Sequence, residues 1–390
     1  MLIQSPHDPD FVQNPYPFYD HARAAGPVLF WQDYDMLAAF DHATVHAILR
    51  DRRFGRAVPD TFRRDVPPHL AEFNAVERHS LLELEPPEHT RLRRLVLHAF
   101  TSRRIAGLGQ DIADICSDLL ARLPANDVDL IPAYCAQVPV RVIARLLGVP
   151  EAMGPDLLRW SSAMVAMYQA GRTRAVEDAA NAAATEFTDF LTQHIKKRRT
   201  EPGDDLLTEL IAAEENGTRL SRDEMIGTCI LLLNAGHEAT VHSLGNAVKC
   251  LLETGTGDAL TPDRVETTVE ELLRFDPPLH MFTRYAYEEV EVGGHVLAPG
   301  DQIALMLGAA GRDPALFRDP HLFDPGRPKP NHVAFGGGLH FCVGAALARL
   351  ELHIALPALF AHAPGLKLTQ TPKYSDAYHF HKLDHLWVTP

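Results

Sequence analysis

Cysteine is scarce in this chain. There are five in 390 residues, an odd number at wide spacing, which argues against a disulfide framework. Cys116, Cys135, Cys229 and Cys250 also offer none of the short spacings that a zinc site needs. Positive charge is in deficit: 37 Lys+Arg stand against 51 Asp+Glu, a net charge of −14. Nucleic acid is therefore not the expected partner, because that affinity rests on many Lys and Arg contacts to phosphate. No apolar run approaches the roughly 18 residues of a membrane-spanning helix. The polar stretch from Met1 to Asp20 lacks the basic and apolar regions of a signal peptide. Internal repeats, low-complexity tracts and long linkers are missing too. The expectation is a reduced, cytoplasmic monomer with no membrane contact, built as a single domain over 1–390.

Apolar residues make up 46% and charged residues 23%, ordinary values for a folded globular protein. Helical periodicity runs almost unbroken from 89 to 257. It predicts helices at 89–99, 103–122, 139–147, 155–169, 173–199, 203–214 and 221–254, with another at 343–361. Short strands are predicted at Val28–Trp31, Phe282–Tyr287, Glu291–Val296 and Gln302–Leu307, and the tail 366–388 is strand-like. Residues 66–87 read as irregular. So does 312–340, and a stretch of that length in a compact chain is usually functional. The class is mainly α with small β-sheets. A β-rich part is expected from about 1–65, 280–310 and 366–390, and a helical part from 66–280 and 311–365.

One predicted helix stands out. Ser221 and Glu224 form a capping box, and no proline follows until well past Glu253, giving a span of roughly 50 Å. Cys229–Leu233 is apolar on all sides, so the helix should cross the interior. Asn234, Gly236, His237, Glu238 and Thr240 come directly after. Polar groups inside a buried helix cost free energy unless they have partners. They mark a surface face, a satisfied hydrogen-bond cluster, or a site at the centre of the fold.

The strongest local signal is Phe335-Gly-Gly-Gly-Leu-His-Phe-Cys342-Val-Gly344, followed by a helix. Cys342 sits at the helix mouth, where the dipole and free N–H groups favour a thiolate. Gly336, Gly337 and Gly338 let backbone approach something flat or bulky, and Gly344 removes a side chain nearby. His340 is placed to reach a neighbouring anion. A dinucleotide loop would need glycine where Phe341 stands, and a strand-then-helix frame that is not there. A merely structural cysteine leaves the glycines unexplained. A thiolate amid bare backbone, with a cationic donor beside it, suits a metal macrocycle that carries carboxylates.

The run Phe335-Gly336-x-Gly338-x-His340-x-Cys342-x-Gly344 resembles, at every position, the haem-binding signature of the cytochrome P-450 family. Glu271-Leu-Leu-Arg274 is similar to that family's Glu-x-x-Arg pair. Ala235-Gly236-His237-Glu238 is similar to its oxygen-activating helix segment, and Glu85-Pro-Pro-Glu-His89-Thr-Arg-Leu-Arg93 to its propionate-clamping segment. The resemblance covers nearly the whole chain in the expected order.

The resemblance implies the cytochrome P-450 fold, with one haem b between the long central helix and the Cys-loop helix. Cys342 would be the axial metal ligand, packed beside Phe335. His89, Arg93, Arg284 and His340 would hold the propionates. Glu271 and Arg274 would be a structural pair, with Arg327 as their third member. Glu238 and Thr240 would feed protons. The family's usual threonine position is Ala239 here, so water or a substrate hydroxyl is expected to serve instead. Leu231, Leu279, Met281, Phe282 and Phe380 are the expected pocket wall. The implied activity is insertion of one atom of O2, as co-substrate, into a small or medium, mostly apolar molecule, by hydroxylation or oxidative dealkylation. Electrons would come from a ferredoxin or flavodoxin with its NAD(P)H-dependent reductase, docked on Arg91, Arg93, Arg94, Arg103 and Arg104. The rival readings are a haem-binding sensor or carrier that does not oxygenate, and a peroxide-driven peroxygenase.

Overall fold

The computed structural model describes residues 1–169, 171–215 and 218–390. Its longest element is the central helix Arg222–Thr254. The capping box forms as its residues require: the Glu224 amide donates to Ser221 Oγ at 3.2 Å, and the Ser221 amide donates to the Glu224 carboxylate at 2.8 Å. Gly255, with φ of 67°, ends the helix in the left-handed region, where glycine carries no Cβ penalty. The helix buries both its apolar stretch and Asn234, His237, Glu238, Thr240 and His242. It packs against the helices Gln137–Leu146, Gly154–Val165 and Ala345–His362.

Most predicted helices form, including Glu88–Ala99, Arg174–Thr200 and Ala345–His362. Three expectations need correction. The helix predicted at 103–122 is two, Ser102–Gly107 and Gly109–Leu120, because two glycines flanking Leu108 weaken the junction. The one predicted at 155–169 is α-helical only over Gly154–Val165 and tightens to a 3₁₀ turn at Ala166–Tyr168. Residues 66–87 are not wholly irregular: Ala71–Glu77 is helical and buries Phe73 and Val76. A single apolar pair at i, i+3 between prolines is too short to register as periodicity.

The largest sheet has five strands in the order Val28–Trp31, Met36–Ala39, Gln302–Met306, Met281–Ala286 and Phe54–Gly55. Met36–Ala39 pairs in parallel with Gln302–Met306; the other neighbours are antiparallel. The tail does not join this sheet. Lys367–Leu368 and Val128–Asp129 each pair with Trp387–Thr389, so the C-terminal strands pair outside the five-stranded sheet, while Tyr378 of the tail packs on Trp31 of its first strand.

The long irregular stretch is organised from beneath. Glu271 and Arg274, on the helix Val265–Phe275, are both fully buried. Two bonds of 2.7 Å join them, from Arg274 Nε and Nη2 to the two carboxylate oxygens. Arg274 also donates to the carbonyls of Gly311 at 2.7 Å and Pro320 at 2.9 Å. Arg327 Nε and the Asp324 amide both donate to Glu271 Oε1 at 3.1 Å. Irregular backbone is thereby tied to one buried ion pair. Removing one member of such a pair leaves an uncompensated charge and costs about 3–5 kcal/mol. Urea unfolding should show a loss of that size for Glu271→Ala; a midpoint equal to wild type would mean that this pair does not hold the segment.

Candidate functional site

The cysteine loop is folded by its own backbone. The Cys342 amide donates to the Phe335 carbonyl at 3.0 Å, and Arg349 lies over the Phe335 ring at 4.5 Å. Gly336 and Gly338 have φ of 69° and 63°. A Cβ on Gly338 would sit 2.3 Å from the Leu49 carbonyl oxygen. Gly337 and Gly338 thus serve packing against the chain's own Leu49 and Arg50, a nearer reason than the open approach expected of all three glycines. Gly336 faces Phe282, 3.2 Å from its would-be Cβ.

Cys342 keeps accessible surface, unlike the other four cysteines. Burial of its sulfur pushes the thiol up; the N–H groups of Gly344 and Ala345 and the charges of Arg93 and Arg349 pull the other way. On balance the shift is upward, so the helix mouth alone does not make the expected thiolate. A bound metal ion inverts that balance.

The opposite wall is the central helix. Ala235 is exposed, and Leu231, Gly236 and Ala239 are half-buried, in the middle of an otherwise buried element. Leu231, Ala235 and Ala239, four apart, share one partly accessible face, whereas Gly236 packs against Ile143, 3.2 Å from its would-be Cβ. Phe282, Leu279 and Phe380 are likewise half-buried, and Leu279 bridges Phe380 through the backbone. Met281 is not among them. Side chains alternate along a strand, and Met281 points the other way, into a cluster with Phe11, Trp31 and Tyr378.

Four cationic or neutral-basic groups ring the loop. The buried His89 has no partner for Nδ1, and burial, with His340 and Arg93 nearby, pushes it down to about 4. Its ring lies 4.5 Å from that of His340. Arg284 is buried, donates to its own neighbour's carbonyl, Thr283, at 2.8 Å, and is pushed down to about 10 by burial. His340 Nε2 meets Glu85 at 2.9 Å, and Arg93 donates to the Phe341 carbonyl at 2.6 Å. A buried guanidinium and an orphaned imidazole nitrogen, both acted on by Glu85, fit an anionic ligand. An accessible cysteine, small residues on the central helix and these basic groups together suit a haem: a sulfur that would ligate the metal and partners that would hold two carboxylates.

Glu238 is held by two groups. Ser162 Oγ donates to Oε1 at 2.8 Å, and His242 Nε2 meets Oε2 at 3.1 Å. Burial pushes this carboxyl up, but the His242 bond, the charges of His237 and His242, and Ser162 outweigh it and hold it down to about 2. The Thr240 hydroxyl is turned back onto the Gly236 carbonyl at 3.4 Å. Ser162 and His242 were missed in the sequence; the i, i+4 spacing of Glu238 and His242 was the available signal. The arginine patch is thinner than expected. Arg91 pairs with Glu224, and Arg104 meets Asp204 and Glu209, each at 3.3 Å. Those acids come from distant sequence, and Arg94 and Arg103 remain exposed.

Known proteins resemble this chain in sequence and fold. The family model described as Cytochrome P450 matches residues 265–362. Cytochrome P450 107B1 of Saccharopolyspora erythraea is 42% identical over 80% of this chain and 74% of its own. The vitamin D(3) 25-hydroxylase of Pseudonocardia autotrophica is 38% identical over 92% of this chain and 88% of its own. The structure of epothilone D-bound cytochrome P450epoK superposes with a TM-score of 0.91 at 30% identity, covering 100% of this chain and 99% of that one. The fold and these relatives define a haem-dependent oxidoreductase. The chain belongs to the cytochrome P450 family of monooxygenases, bacterial in its relatives, whose members use haem, O2, small-molecule substrates and redox partners. Among the described residues no helix is long and apolar enough to cross a membrane.

A second cluster, Asp276, His280 and His381, has the composition of a metal site. Its hydrogen bonding points elsewhere. Asp276 Oδ1 accepts from Tyr16 at 2.8 Å and meets His381 Nδ1 at 2.8 Å, while Oδ2 accepts from Tyr374 at 2.6 Å. His280 Nδ1 meets the Tyr19 hydroxyl at 2.9 Å. The carboxylate is already satisfied, so this is a hub joining the first helices, the Glu271 helix and the tail. Burial, reinforced by His381, pushes His280 down to about 4. The folded protein then keeps this ring neutral while the unfolded chain protonates near 6.5. The stability it contributes is present above 6.5 and is lost as pH falls towards 4. Urea midpoints measured between those values should fall with pH in wild type and fall less steeply in His280→Gln; parallel curves would exclude His280 as a source of the acid sensitivity.

Proposed function

We propose that this chain is a haem-thiolate monooxygenase holding one haem b in a single domain over 1–390. Its substrate would be a small or medium, mostly apolar molecule, hydroxylated or oxidatively dealkylated. Electrons would come from a separate ferredoxin or flavodoxin and an NAD(P)H-dependent reductase. The observation that carries this reading is the accessible Cys342, with the charges of Arg93 and Arg349 bearing on it, in a loop whose neighbour His89 keeps an unpartnered ring nitrogen among the described residues.

Cys342 would be the metal ligand, with Phe335, Gly336 and Gly344 around it and Ala235 and Gly236 across the ring. His89, Arg93, Arg284 and His340 would hold the propionates, His340 while also meeting Glu85. When bound, the haem supplies O2 activation, with the balance R–H + O2 + two electrons + two protons giving R–OH and H2O. The chain's own residues then have two tasks. One is to exclude water and orient the substrate, which falls to Leu231, Leu279, Phe282 and Phe380. A relative named for acting on vitamin D3 and a similar structure holding epothilone D support a substrate of that apolar kind. The other task is proton delivery, which geometry assigns before acidity does. Glu238 is the acid within reach of polar partners; Ala239 has no hydroxyl. Thr240, turned back onto Gly236, supports the reading that water or substrate replaces the usual threonine.

Two experiments test this. The reduced carbon-monoxide complex of the haem-loaded protein should show the long-wavelength Soret band of a thiolate ligand, and Cys342→Ser should abolish it. A folded, haem-loaded wild type without that band would overturn the assignment. For the partner, Arg94→Glu should slow reduction by a ferredoxin while leaving dithionite reduction unchanged, and added salt should slow the wild type. Equal slowing by both reductants would point to damage at the haem instead of a docking surface.

A further inference from the structure

The central helix carries four polar residues one turn apart: Asn234, Glu238, His242 and Asn246. All four are buried. Spacing of four stacks side chains on one face, and this face lies about 100° round from Ala239. Among the described residues, three of the four keep a buried polar atom without a protein partner: Asn234 Oδ1, His242 Nδ1 and Asn246 Oδ1. His381 adds another, Nε2, and its backbone carbonyl accepts from Asn246 Nδ2 at 2.9 Å. An unsatisfied buried polar atom costs about 1–3 kcal/mol. Several along one line are satisfied most simply by buried water, which takes two to four such partners.

We infer that His242 is a relay residue, passing protons to Glu238 from buried water held by Asn246 and His381. The inference rests on the reading of Glu238 as the proton-delivering acid. His242 Nε2 lies 3.1 Å from Glu238 Oε2. That contact assigns the ring proton to Nε2 and leaves Nδ1 as an acceptor. The groups bearing on the pair are Glu238 and His237 on the same helix, Ser162 on the helix Gly154–Val165, and Lys382 on the tail. The Phe380 ring closes the other side, edge-on at 5.6 Å. Burial pushes His242 below the ordinary histidine range, against the pull of Glu238, so the ring is neutral at neutral pH.

The step balances without further reactants. Nδ1 takes one proton from the bound water, which solvent reprotonates, as Nε2 releases one to Glu238, and the ring's charge is unchanged. The starting tautomer returns when Nδ1 gives its proton back to water and water protonates Nε2, an exchange with no net change of charge. Two passages supply the two protons of a turnover. A histidine one turn beyond the acid therefore extends proton delivery away from the haem face, along the inside of the helix and towards the Asp276 hub that holds His381.

The test uses the holoenzyme, a surrogate ferredoxin with its reductase, and O2 as the only acceptor, reduced to peroxide by two electrons and two protons. Oxygen consumption is followed in H2O and in D2O. Wild type should be slower in D2O. His242→Phe and Glu238→Gln should each lower the rate about tenfold and change the isotope effect. His242→Gln keeps a donor for Glu238 but has no second ring nitrogen, so it should behave like His242→Phe; rescue by glutamine would show a structural role and overturn the relay. If Glu238→Gln alters both readouts and His242→Phe alters neither, the relay falls and the reading of Glu238 stands. If neither variant has an effect, the Glu238 reading falls and takes the relay with it. Independently of turnover, a crystal structure of the holoenzyme should place ordered water within hydrogen-bond distance of His242 Nδ1. A dry Nδ1 would overturn the proposal.

Discussion

Glu271 and Arg274 sit with no solvent contact, and the segment leading to the cysteine loop is arranged so that they never lack partners. A carboxylate and a guanidinium in the interior each carry a desolvation cost of several kcal/mol, recovered only when every donor and acceptor is used. Here the use is nearly complete. Each residue meets the other twice, and the remaining valences go to Gly311, Pro320, Asp324 and Arg327. That arrangement explains why a proline- and glycine-rich stretch with hardly any regular structure is well defined. Its backbone groups are the ligands of a buried charge pair, and no other conformation would satisfy that pair.

The same rule, left incomplete, marks the functional site. Around the cysteine loop the chain buries Arg284 without a carboxylate and His89 without a partner for Nδ1. Along the central helix it buries Asn234, His242 and Asn246 with unsatisfied atoms. Where the protein closes its own network, as at Asp276, the region is structural. Where it leaves donors and acceptors over, something outside the chain is expected to complete them. The first set fits the carboxylates of a haem, and the second fits water.

A division of labour follows from the helix geometry. Ala235 and Ala239 present small, partly accessible side chains on one face and Gly236 lets Ile143 approach, while Glu238 and His242 turn a polar face inward towards Ser162 and the tail. One helix therefore offers room for a flat ring on one side and a hydrogen-bonded path on another. The Thr240 hydroxyl belongs to neither; it closes on the turn before it.

Local pattern settled much of this in advance. The capping box, the central helix, the Glu271–Arg274 spacing and the cysteine loop are each written within ten or so adjacent residues, or in a single periodicity, so they were legible from sequence. What sequence could not show is what meets what across the fold. The acids that neutralise Arg91 and Arg104 come from residues 204–224. Met281 turns away from Phe282 because the strand alternates about a core that only the packed N-terminal helices create. The tail strands choose Val128–Asp129 through long-range pairing. The charges that bear on the cysteine also lie partly beyond its motif, since folding brings Arg93 from a distant helix to act on it. Sequence determines periodicity, capping and motif chemistry because those depend on neighbours along the chain. Burial, pairing and proton affinity were decided by tertiary structure because they depend on neighbours in space.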